Sequence, residues 1–218
     1  RTEGSEGGGY DDEAMLRQDI RFADATLTRE LAFEVEAWRD AFDTSYLWVK
    51  VPQIASTEDY IYILWDKPGG ATSNENPAQV WTNGYEAVWH LNEDVSDEQF
   101  EGVHVDSTGH GHDGAQNANA EDAGRIDFGQ LFDGDDWINA SGAATIPSAT
   151  ELTWSAWLKT DAASGDHAVM GRAPLSAPWA AGGKLLYIRD GFASYDAYPA
   201  GTMSGSIGVA DGQWHHLA

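Results

Sequence analysis

The 218-residue chain contains no cysteine. Disulfide frameworks, thiolate zinc sites and cysteine nucleophiles are therefore excluded, although that absence does not fix a compartment. Positive charge is scarce: 12 Lys and Arg stand against 36 Asp and Glu, a formal net charge of −24. Nucleic acids and anionic membranes need clustered Lys and Arg, so neither is expected as a partner. Divalent cations, neutral ligands such as glycans, or a salty medium suit this surface. No uninterrupted apolar run approaches the roughly 18 residues of a membrane span, so no membrane insertion is expected. Helix signals are few as well, limited to single turns over Glu13–Asp19 and Asp94–Phe100. A Gly-x-Ser-x-Gly elbow and a phosphate-binding loop are both missing.

What the chain does have is ring and turn chemistry: 10 Trp, 8 Tyr, 7 Phe and 24 Gly, with 42% apolar residues overall. This composition can bury a core and needs many turns. Leu31, Phe33, Val35 and Ala37 alternate with Glu34 and Glu36, the period-two signature of a strand with one buried face. Tyr46–Val51 reads as the next strand. Tyr60–Trp65 is apolar on both faces, which predicts a central strand. Further strands are expected at Gly129–Phe132, Trp137–Asn139, Leu152–Lys159, His167–Arg172, Lys184–Ile188, Ser204–Val209 and Trp214–Ala218. In Leu152–Lys159, the residues Leu152, Trp154, Ala156 and Leu158 share one face. Trp38, Trp48, Trp89, Trp154 and Trp214 are expected in the core. Many short strands with Gly-rich turns predict an all-β protein of sandwich or barrel type.

Residues 1–17 form a flexible polar segment, with nothing to pack in Arg1–Gly9. Two modules follow, at 18–80 and 81–218. The first resembles the domain of unknown function DUF2341 through Asp19-Ile-Arg-Phe22, Phe33-Glu-Val-Glu-Ala-Trp38, Leu47-Trp-Val-Lys-Val-Pro52 and Tyr60-Ile-Tyr-Ile-Leu-Trp65. The second resembles a laminin-G-like, concanavalin A-like jelly-roll domain. Its marks are Val88-Trp-His-Leu91, Asp106-Ser-Thr-Gly-His-Gly-His-Asp-Gly114, Leu131-Phe-Asp-Gly-Asp-Asp-Trp-Ile138, Leu152-Thr-Trp-Ser-Ala-Trp-Leu158 and Gly212-Gln-Trp-His-His-Leu217. The resemblance implies a jelly-roll sandwich whose strands continue past Ala218, so the sequence reads as part of a longer protein.

Asp106, Asp113, Asp133, Asp135 and Asp136 lie in Gly-rich turns, where carboxylates and free carbonyls together supply the six to eight oxygens that calcium takes. The laminin-G-like resemblance implies a structural Ca2+ there, with Asp106 as the leading ligand. Asp beside Gly also serves turns for purely backbone reasons. His104, His110 and His112 sit among these carboxylates, and imidazoles suit zinc; equally, they belong to a solvated loop in which His110 and His112 stand where the family places Asn. Glycoside hydrolysis needs two carboxylates at a set spacing, and no Glu-x-Asp pattern occurs, so no enzyme is expected. For sugar stacking the candidates are Trp179, Tyr195 and Tyr198, all outside the strands expected to form the core.

The expectation is a non-catalytic carbohydrate-binding or adhesion module of a large exported surface protein, extracellular or at the cell surface, with a glycan or cell-surface protein as partner. The alternatives are an accessory binding module of a polysaccharide-degrading enzyme and a structural spacer.

Overall fold

The computed structural model describes residues 18–38, 44–65, 72–140, 151–172 and 182–218. The expected flexible segment at 1–17 and Trp179 lie outside the described residues. Among those described, the protein is all-β: sixteen strands in several antiparallel sheets, one short helix and no closed barrel. Two compact units divide the chain, Arg1–Thr145 and Ile146–Ala218.

In the first unit, β1 (Arg21–Ala23) lies between β2 (Glu30–Leu31) and β5 (Tyr62–Leu64). Beside it in sequence, β3 (Phe33–Ala37) pairs with β4 (Tyr46–Val49). Alternation puts Phe33 and Val35 on the same face, where they join Ile20, Phe22 and Leu31 in one buried cluster. Each such fully buried side chain contributes about 1.5–3 kcal/mol. Trp38 packs against this cluster. The expected central strand is instead the edge of its described sheet, with Tyr62, Ile63 and Leu64 all exposed. An apolar run reports hydrophobicity but not the number of neighbours a strand acquires.

The helix α1 (Pro77–Val80) begins with proline at its first turn, where the missing N–H costs no hydrogen bond. Gln18 and Asp19 are helical, while Asp94–Phe100 holds only a turn at Asp97 and Glu98. Further along, β6 (Val103–His104), β7 (Gly114–Asn117) and β10 (Trp137–Asn139) make a three-stranded sheet. A hairpin joins β8 (Ala120–Ala123) to β9 (Phe128–Leu131). Val88–His90 runs beside the end of β6 through a bridge between Trp89 and Asp106 and a hydrogen bond from Ser107 N to Val88 O at 2.9 Å.

In the second unit, β11 (Ala156–Lys159) pairs with β16 (Trp214–Leu217). The strands β12 (Asp166–Arg172), β13 (Lys184–Arg189), β14 (Phe192–Ala197) and β15 (Gly201–Gly208) form a four-stranded meander. Its core is Ile188, Val209 and Leu217, with Leu158 and Val169 against them. Leu152 and Trp154, expected within a strand, precede β11.

Candidate functional site

The second face of β3 is not a solvent face. Glu34 is 6% exposed, and Glu36 sits at the β-bulge that shifts the β3–β4 register between Val35 and Ala37. A bulge re-aims side chains without breaking the strand pair. Both carboxylates meet the imidazole of His90, Glu34 Oε2 at 3.1 Å from Nε2 and Glu36 Oε2 at 3.5 Å from Nδ1. The Nε2 contact is ionic, since it lacks hydrogen-bond alignment. Glu34 also accepts from Ser107 Oγ at 2.6 Å and from the indole N–H of Trp81. The Trp48 indole N–H donates to Glu36.

These partners set the charges. Burial pushes the Glu34 carboxyl upward, but His90, Ser107 and Trp81 outweigh it and leave the pKa below the ordinary value. Burial pushes the His90 imidazole down, yet Glu34 and Glu36 raise it to about 9. At neutral pH the group is therefore an imidazolium held between two carboxylates. A carboxylate so held is an acceptor and not a proton donor.

Around this ion cluster the rings converge. Trp48 stacks on His90 with centroids 6.1 Å apart and planes at 21°, and Trp48 and Trp81 meet at 5.1 Å. Tyr85 meets Trp81 edge-on at 5.2 Å. Trp48 is 37% exposed and Tyr85 50%. The core position expected for Trp48 is thus corrected: its side of β4 faces the Glu34–His90 cluster and solvent. Glu34, Glu36, His90, Asp106 and Ser107 also border a groove of about 640 Å³.

The residues singled out from sequence fall in separate places. Asp106 is buried, and its carboxylate accepts from the backbone N–H groups of Val88, Thr108 and His112 and from Thr108 Oγ1. Burial raises its pKa, but these donors bring the group below the ordinary carboxylate value. Both oxygens are engaged in organising the loop, so the donor set there does not fit a calcium ligand. Asp113 accepts from Asp106 N at 2.8 Å. Asp133, Asp135 and Asp136 do converge, one carboxylate oxygen from each lying within 4.8 Å of the others. The Asp136 carboxylate raises the pKa of Asp133, and Asp135 raises that of Glu98. That mutual repulsion is what a cation relieves.

His104 departs from the other two histidines. It is fully buried, donates from Nδ1 to Glu93 Oε2 at 2.8 Å, and accepts at Nε2 from Asn119 Nδ2 at 3.1 Å. Both nitrogens are used inside the fold, so it is a structural residue. Tyr195 lies on β14 with its ring edge-on to Trp154, 6.2 Å between centroids. Tyr198 is exposed in the turn after β14. The cluster on His90 was missed because its parts come from five segments. The Glu34–Glu36 spacing was its trace in the sequence, and the register that sets Trp48 opposite Glu34 came only with the fold.

Residues 17–107 match the family model described as Domain of unknown function (DUF2341). The match places this domain in the N-terminal part of the chain and not in the C-terminal part. It crosses residue 80, and it takes in every member of the His90 cluster and Asp106. No curated protein and no solved structure matches the chain.

Proposed function

We propose that this chain is a non-catalytic carbohydrate-binding or adhesion module of a large exported surface protein, and that its contact face is the Trp48–Trp81–Tyr85 cluster. One observation carries the reading: the partly exposed rings of Trp48, Trp81 and Tyr85 gather over the Glu34–His90–Glu36 ion cluster. Sugar CH faces stack on such rings. The indole N–H groups already bind Glu34 and Glu36, so the rings are held before a ligand arrives, which lowers the entropy cost of binding. The net charge of −24 favours neutral over uronic-acid glycans. The laminin-G-like resemblance of residues 81–218 supports the same reading, with Tyr195 and Tyr198 as a second contact set.

Screening against immobilised neutral and acidic glycans tests this. Neutral glycans are expected to bind, and Trp48→Ala is expected to weaken binding about tenfold, equivalent to about 1.4 kcal/mol. Retained binding in Trp48→Ala together with loss in Tyr198→Ala would move the site to the second unit. Failure to bind any glycan would favour the structural-spacer reading. We further propose a structural Ca2+ at Asp133, Asp135 and Asp136, supported by their convergence. Calcium is expected to raise the melting temperature and EDTA to lower it, with Asp135→Asn abolishing the difference. Equal melting in calcium and EDTA would refute it.

A further inference from the structure

Beyond the aromatic cluster, the loop that Asp106 organises presents two histidines toward Glu86. One ligand atom from each of Glu86, His110 and His112 lies within 4.8 Å of the other two. We propose that these three residues form a binding site for a transition metal of the zinc class, with one coordination position open to solvent.

The donor chemistry selects the ion. Two imidazoles and a carboxylate are the ligands of open zinc sites, whereas calcium and magnesium take oxygen alone. Tetrahedral zinc sets its ligands roughly 3.3 Å apart. Of the three, Glu86 and His110 are exposed, and His112 is the buried and anchored member. The His112 N–H donates to Asp106 Oδ2 at 3.1 Å, and its carbonyl accepts from Trp89 Nε1 at 2.8 Å. Gly109 and Gly111, at φ +78° and +76°, let the loop reverse on both sides of His110 where a side chain would be strained.

Two features of the histidines suit them to that role. The His112 residue is more than nine-tenths buried, and its ring nitrogens hydrogen-bond to nothing among the described residues. The ring lone pair is therefore not taken up inside the fold and stays available to an ion. The second concerns His110, whose Nδ1 is 3.0 Å from the Glu86 carbonyl oxygen. A carbonyl only accepts, so Nδ1 carries the hydrogen, and Nε2 is the nitrogen left to face an ion. Metal-ligating histidines are oriented by this kind of backbone contact.

The test uses the whole chain, stripped of metal and titrated with Zn2+ by calorimetry and with Co2+ by visible absorption, both in excess Ca2+. One equivalent is expected to bind, with the absorption of tetrahedral Co2+. His110→Ala and Glu86→Gln, both exposed, are each expected to raise the dissociation constant at least tenfold while leaving the circular dichroism unchanged. Asp133→Asn is expected to leave Zn2+ binding unchanged. No saturable binding would overturn the proposal. So would binding that survives in both His110→Ala and Glu86→Gln, since the ion would then sit on other residues.

Discussion

His90 shows how one side chain's surroundings decide its charge and its contribution to stability. Burial opposes the imidazolium, but Glu34 and Glu36 outweigh it and raise the pKa to about 9, against about 6.5 in an unfolded chain. The folded state therefore binds more protons than the unfolded state between these values. Its contribution is fully present below about pH 6.5 and is lost as pH rises through 9. Over that window it amounts to on the order of 3 kcal/mol. Urea unfolding from pH 6 to 10 is expected to show stability falling by that order, and His90→Gln is expected to flatten the fall. An equal slope in the variant would refute the coupling. Asp106 acts in the opposite pH range. Its lowered pKa means that its contribution disappears only in acid, as pH falls through the folded value.

Among elements, the β8–β9 hairpin rests on a backbone approach that only glycine allows. Gly124 donates to Asp127 O at 3.0 Å, and a Cβ at Gly124 would collide with the Phe128 carbonyl. Backbone on both sides cannot yield as a flexible side chain would. Gly124→Ala is expected to cost about 1–3 kcal/mol, measured by chemical denaturation. Gly208 has no atom near its Cβ position and no positive φ, so Gly208→Ala is expected to change stability by less than about 0.5 kcal/mol. Equal effects at the two positions would show that the hairpin tolerates another backbone path. The β3–β4 pair illustrates a second property of elements. Its bulge at Glu36 gives one short strand two neighbouring carboxylates on a single imidazole.

For the whole molecule, charge is the dominant feature. A net −24 repels itself, and the repulsion is screened within about 10 Å at 0.1 M salt. The melting temperature is expected to rise between low and high NaCl. A flat or falling curve would mean that local ion pairs such as Arg189–Asp166, at 2.7 Å, outweigh the net repulsion.

The sequence by itself determined the all-β class, the buried face of β3 at Phe33 and Val35, and the acidic surface that disfavours anionic partners. These depend on local period and composition, which the chain carries at every point. The fold alone decided what covers the other face of β3. Period two says that Glu34 and Glu36 share a face, but not that Trp81 and His90, more than 40 residues later, will lie upon it. For the same reason His104 and His112 could not be told apart by spacing. One is satisfied by Glu93 and Asn119, while the other turns its ring toward Glu86 and His110. Local pattern specifies which residues turn inward together; long-range packing specifies what they meet there, and the chemistry of the site depends on the meeting.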